Sequence, residues 1–130
     1  MINSKNRIAY VNGAYVDESQ AQVSIFDSSL WFGDMVFDMV RSYNRRLWRV
    51  RQHLDRLRHS CDVLAIDPRL TIDQIEHIMM RVAELNSDRM DPDDEHRLMI
   101  SISRGILDVG QSQPPGPGSG PTVIVTDLSI

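Results

Sequence analysis

Val36-Phe37-Asp38-Met39-Val40-Arg41-Ser42-Tyr43, then Asn44-Arg45-Arg46, then Leu47-Trp48-Arg49-Val50, runs directly into Arg51-Gln52-His53-Leu54-Asp55-Arg56-Leu57-Arg58. The first eight residues are rich in β-branched and aromatic side chains, which favour extended backbone. In a strand, alternate side chains fall on opposite faces, so Phe37, Met39 and Arg41 share one of them. Asn44-Arg45-Arg46 turns the chain back into Leu47 to Val50, closing a hairpin. From Arg51 the apolar repeat lengthens to a helical one, with Leu54, Leu57, Cys61 and Leu64 at spacings of three and four. Arg51, Asp55, Arg58 and Asp62 fall elsewhere around that wheel. A hairpin that feeds straight into an amphipathic helix predicts an α+β domain.

Toward the N-terminus, Ile8 to Val11, Asn12-Gly13 and Ala14 to Val16 read as another hairpin, because Asn-Gly accepts the positive φ angles of a type I′ turn. Val23 to Phe26 has the composition of a further strand. Asp27-Ser28-Ser29 reads as a turn before the apolar run Leu30-Trp31-Phe32. Toward the C-terminus, Pro68 is expected to stop the first helix. Thr71 and Gln74 form a capping box that opens a second helix, with Ile72, Ile75, Met79, Val82 and Leu85 as its buried stripe and an end near Asn86. After the acidic connector Asp91 to Glu95, Arg97 to Ser103 alternates with period two. Leu98, Ile100 and Ile102 form one face, and Arg97, Met99, Ser101 and Ser103 the other. The expected domain spans residues 1–107: an antiparallel sheet of two hairpins plus later strands, with two helices. Residues 108–121 hold four prolines and four glycines, a composition that reads as a loop. Residues 122–130 supply a last apolar strand, Thr122 to Thr126, and the start of an interdomain connection; as a sequence the strand has no visible partner and predicts association with another surface.

The chain has 130 residues, 42% hydrophobic and 25% charged, which suits one soluble globular domain. A net charge of -4 argues against nucleic acid as partner. Cys61 is the single cysteine, so no disulfide framework or multi-cysteine metal site exists and a reducing, cytoplasmic setting is expected. No stretch approaches the roughly 20 apolar residues of a membrane span, and the N-terminus has no apolar signal core. No phosphate loop, zinc spacing or nucleophile elbow is present. All but one of the fourteen basic residues are arginine, Lys5 being the exception. Arg49, Arg51, Arg56 and Arg58 cluster at the entry of the first helix, beside Arg41, Arg45 and Arg46. Guanidinium forks suit phosphate or carboxylate because they engage two oxygens at once. The same arginines also suit a solvated helix face paired with Asp55 and Asp62.

Taken in order, Tyr10-Val11-Asn12-Gly13, Val23 to Asp27, Phe32-Gly33-Asp34-Met35-Val36-Phe37-Asp38, Arg41, Leu47 to Val50, His53-Leu54-Asp55-Arg56-Leu57, Asp93 to Ile100 and Ser103-Arg104-Gly105 resemble the N-terminal half of class IV aminotransferases. That family includes branched-chain and D-amino-acid aminotransferases and aminodeoxychorismate lyase. The resemblance implies pyridoxal 5'-phosphate as cofactor, an amino acid and a 2-keto acid as substrates, and a homodimer. It implies that Arg56 binds the cofactor phosphate and that Phe32, Phe37, Arg41 and Arg97 line the substrate pocket. The family usually has Glu where Asp38 stands and often Tyr where Phe32 stands. Its Schiff-base lysine lies in a second, catalytic domain beyond the residues present here. The resemblance therefore implies a chain inactive alone, either part of an aminotransferase, a non-catalytic binding or dimerisation module, or part of a lyase of the same fold.

Overall fold

The computed structural model describes residues 6–107 and 120–130. Most of the Pro/Gly-rich segment and Lys5 therefore lie outside the described residues. The architecture is a six-stranded antiparallel sheet in the order β2-β1-β6-β5-β3-β4, with its two long helices laid on one face. The strands are β1 (Ile8–Val11), β2 (Ala14–Asp17), β3 (Met35–Tyr43), β4 (Arg46–Leu47), β5 (Arg97–Ser103) and β6 (Thr122–Asp127). The helices are α1 (Ser28–Phe32), α2 (Val50–Leu64) and α3 (Ile72–Asn86).

Both expected hairpins form, each over a turn with positive φ at its two central residues: Asn12 and Gly13 in one, Asn44 and Arg45 in the other; the second returns only over Arg46–Leu47, not through Val50, which already begins α2. Arg45 tolerates this backbone because the surroundings hold it. Its N–H donates to the Glu95 carboxylate, and its guanidinium donates to the carbonyls of Ser87 at 3.1 Å and Asp91 at 2.7 Å. The Thr71–Gln74 capping box is present in both directions. α2 ends at Leu64, before Pro68 is reached, because Ala65 takes a left-handed conformation and the N–H groups of Ala65 and Ile66 return to Asp62 and Cys61. Arg104 supports the same end, donating to the carbonyls of Leu64 and Ala65 while paired with Asp34.

Three sequence expectations need correction. Val23 to Phe26 is no strand; Val23 and Ser24 have no regular structure, Ile25 and Phe26 form a turn, and both of the latter are exposed. Asp27-Ser28-Ser29 opens a helix, because the Asp27 carboxylate accepts from the Ser29 N–H at 3.0 Å and thereby N-caps α1. That adds a third helix to the expected two. Thirdly, β6 is far from unpaired: it lies between β1 and β5 and pairs with both. Val123 and Val125 are buried in the core beneath the helices, so the expectation of an exposed strand seeking a partner fails.

The core lies between sheet and helices. Leu54, Leu57 and Cys61 of α2 and Ile75, Met79 and Val82 of α3 pack on Val36, Val40, Leu98, Ile100, Ile102, Val123 and Val125. Fully burying each large aliphatic side chain stabilises the fold by about 1.5–3 kcal/mol, which explains why both helices share this one face. The opposite sheet face carries Phe37, Met39 and Arg41 of β3 beside Ser101, Met99 and Arg97 of β5; the stretch from Val23 to Ser29, with the start of α1, packs over its Ser101, Ser103 and Thr122 end, whereas Phe37 and Met39 stay exposed.

Candidate functional site

Alternation along β3 turns Asp38 toward the helices while its neighbour Phe37 faces the open side. α2 crosses over this strand, and the spacing of three between His53 and Arg56 brings both side chains onto Asp38. Arg56 donates from Nε to Oδ2 at 2.8 Å and from Nη2 to Oδ1 at 2.7 Å, a bidentate pair. His53 Nδ1 lies 2.8 Å from Oδ1, and the Met39 N–H donates to the same oxygen at 3.0 Å. Burial pushes the Asp38 carboxyl up, but the hydrogen bonds and charge of Arg56 and His53 outweigh it and hold the group below the usual carboxylate range. The hydrogen bonds and charge of Asp38 in turn keep Arg56 protonated.

The pair is asymmetric in a useful way. The Asp38 side chain is only 2% exposed, whereas that of Arg56 is 68% exposed. The guanidinium is therefore gripped along one edge and open along the other, and Nη1 makes no hydrogen bond among the described residues. It stands at a free margin of the sheet, since β4 pairs only with Ser42 and Tyr43 and leaves the earlier part of β3 unpaired on that side. An oriented guanidinium with three of its five N–H donors unused fits a phosphate group.

On the open face, Arg41 and Arg97 are directly opposite across the β3–β5 ladder. Arg41 donates from Nε to the Ser42 carbonyl at 3.0 Å and its guanidinium sits 4.1 Å over the Tyr43 ring. Tyr43 in turn meets Trp48 edge to face at 5.8 Å. Phe37 continues this surface on β3, directly opposite Ser101, and is 60% exposed. Phe32 ends α1 and is as exposed. The structure thus brings Phe37, Arg41 and Arg97 onto one sheet face and places Arg56 on the helix side of the same strand's margin.

Sequence reasoning missed the partners. Asp38 was visible only as a departure from a family pattern, and His53 only as part of a motif. The sole local signal was the three-residue spacing of His53 and Arg56 on a helix that follows a strand. It also missed a buried network at the far end of the sheet. There His96 Nδ1 lies 2.6 Å from Asp127, and the His96 N–H donates to the Ser42 hydroxyl at 2.7 Å, which itself donates to Glu95. Asp127 also accepts the Arg97 N–H. This network ties β3, β5 and β6 together in the interior and offers no open site. Among the described residues no three His, Cys, Asp or Glu side chains converge on a metal position, and no helix is long and apolar enough to cross a membrane.

With this geometry in hand, comparison with known proteins defines the class. The sequence model of the family described as Amino-transferase class IV matches residues 35–130, and the chain belongs to that family. A Methanocaldococcus jannaschii protein, provisionally assigned as a branched-chain-amino-acid aminotransferase, is 34% identical over 101 residues, covering 78% of this chain and 33% of its own length. A Staphylococcus epidermidis D-alanine aminotransferase is 30% identical over 78 residues, covering 60% of this chain and 28% of its own. Among solved structures, the Escherichia coli branched-chain amino acid aminotransferase superposes with a TM-score of 0.81 at 23% identity, covering 95% of this chain and 40% of that one. The branched-chain amino acid aminotransferase from Thermoproteus uzoniensis, solved with norvaline, gives 0.73 at 20% identity, again over 95% of this chain and 40% of that one. At such identity these structures establish the fold. The chain spans about a third of the length of the curated relatives it matches.

Proposed function

We propose that this chain is the N-terminal part of a pyridoxal-phosphate-dependent aminotransferase that moves an amino group between an amino acid, branched-chain or similar, and a 2-keto acid. The observation that carries this reading is Arg56, whose guanidinium is held along one edge by Asp38 and exposed along the other at 68%. In this reading Arg56 holds the cofactor phosphate. Phe32 and Phe37 supply apolar surface to the substrate side chain, while Arg41 and Arg97 supply positive charge for a substrate carboxylate from the same sheet face. Such a division suits a substrate with one charged and one apolar end. When bound, the cofactor supplies the electron sink for chemistry at the substrate α-carbon. This chain binds, orients and helps to exclude water from the open face; the proton-moving lysine belongs to a second domain.

We further propose a domain spanning residues 1–107, a connecting loop over 108–121 and, over 122–130, the final strand followed by the start of the connection to that second domain. The exposed apolar run of Ile25, Phe26, Leu30, Trp31 and Phe32 supports burial against another surface, and we assign it to a homodimer in the cytoplasm. The test is phosphate-dependent cofactor binding followed by a substrate panel. The complete polypeptide carrying this chain is expected to bind pyridoxal phosphate more tightly than pyridoxal, to lose that preference in Arg56→Ala, and to convert a branched-chain 2-keto acid to the amino acid. Equal binding of both pyridoxal forms by the unaltered protein would overturn the reading. Pyruvate release without any amino acceptor would replace it with a lyase.

A further inference from the structure

An exposed arginine normally samples many rotamers, and ordering them for one ligand carries an entropic cost. Arg56 is exposed and yet fixed, because two of its nitrogens are bound to a carboxylate that is itself almost wholly buried. The carboxylate cannot swing away. Its Oδ1 also accepts from the Met39 N–H and meets His53 Nδ1, so strand backbone and helix together set its rotation. Asp38 also neutralises the charge that Arg56 would present to an anion. A carboxylate retained beside an anion-binding cation must therefore give something worth more than the attraction it cancels.

We propose that Asp38 is a positioning residue for anion binding: it holds Nε and Nη2 of Arg56 so that the remaining edge of the guanidinium faces the free margin of β3. His53 assists by fixing the carboxylate's rotation. This inference rests on the assignment of the cofactor phosphate to Arg56. Charge and orientation make opposite predictions for Asp38→Asn. Removing the negative charge strengthens anion binding if charge alone matters. Loss of the bidentate grip weakens it if preorganisation matters.

The experiment measures dissociation constants of pyridoxal phosphate and of pyridoxal, by fluorescence, in the intact polypeptide, and takes their ratio as the phosphate preference. Asp38→Asn is expected to reduce that preference on the order of tenfold. In an Arg56→Ala background the same change is expected to have no further effect, which separates positioning through Arg56 from general loosening of the fold. Circular dichroism melts establish that each variant is folded. Should Asp38→Asn fail to fold, Asp38→Ser, a smaller side chain that also removes the charge and the bidentate grip, is expected to give the same loss of preference. If Arg56→Ala leaves the preference intact, the assignment of Arg56 is wrong. If Arg56→Ala abolishes it while Asp38→Asn, or Asp38→Ser in its place, leaves it unchanged or raises it, Arg56 stands and the positioning role of Asp38 is overturned.

Discussion

Arg41 on β3 and Arg97 on β5 occupy directly opposed positions in the antiparallel register, placing two cations side by side on the uncovered face of the sheet. Like charges so placed oppose pairing by roughly 0.2–1 kcal/mol. Part of the strain is relieved where Arg41 is drawn over Tyr43 at 4.1 Å, whereas Arg97 Nε is buried without a partner among the described residues. Arg97→Met is therefore expected to raise the urea midpoint of the protein slightly. It should also abolish the stabilisation that a small carboxylate gives the unaltered protein in thermal melts. A stabilising response to acetate that survives the substitution would show that the pair does not gather carboxylate.

Acid should destabilise this domain through two buried carboxyls. For Asp27, burial pushes the pKa up, but hydrogen bonds from the Thr122 hydroxyl and from Ser29 outweigh it and hold the group below its usual range. Asp38 is lowered against burial by Arg56 and His53. A carboxyl with a depressed folded pKa contributes stability that is fully present above the unfolded value, about 3.9 for Asp, and is lost as pH falls through the folded value. The urea midpoint should therefore fall as pH drops below about 4. In Asp38→Asn the fall should be shallower, from a lower midpoint at neutral pH. An identical acid slope in that variant would exclude Asp38 as a source of it.

Gly105 is held where no side chain fits. Its φ is +118°, and a Cβ there would stand 2.1 Å from the Gly120 carbonyl oxygen. Its own carbonyl accepts the Ser28 N–H at 2.8 Å, so the segment cannot move off without releasing the start of α1. Gly105→Ala is expected to cost more than the roughly 1 kcal/mol of a tolerated glycine replacement, because backbone must shift as well as φ. Chemical denaturation measures this, and a loss smaller than that would mean that the 105 and 120 segments separate freely.

The regular elements were legible because their signals are local. Alternation from Val36 to Tyr43, the Asn12-Gly13 turn and the Thr71–Gln74 box each fix backbone within a few residues, and each matches the structure. What the sequence hid is set by packing between distant residues. β6 looked unpaired because nothing local says that Thr122–Asp127 inserts between β1 and β5. The apolar content of Val23 to Phe26 suggested a strand, yet Ile25 and Phe26 remain on the surface. Arg56 was legible as an anion-binding candidate, but its grip by Asp38 depends on how α2 crosses β3, which the His53–Arg56 spacing alone does not specify.

Asn86 is another residue whose role appears only in three dimensions. β1 pairs with β6 only at Tyr10 and Val11, so the inner edge of Ile8 lacks a strand neighbour. The Asn86 side chain fills that gap: its Oδ1 accepts the Ile8 N–H at 2.8 Å and its Nδ2 donates to the Ile8 carbonyl at 2.8 Å. A primary amide reproduces the donor and acceptor of a strand, and at the end of α3 it locks the β1–β2 hairpin to the helix layer. Asn86→Ala orphans two buried backbone groups, at roughly 1–3 kcal/mol each. Asn86→Asp keeps an acceptor for the N–H but loses the donor and places a negative charge beside the Ile8 carbonyl, so it is expected to be no milder. Hydrogen exchange should accelerate first at Ile8 and Tyr10 in both variants, ahead of the β3–β5 ladder. Uniform acceleration across the sheet would instead mean that Asn86 stabilises the domain as a whole and does not act as a local clasp.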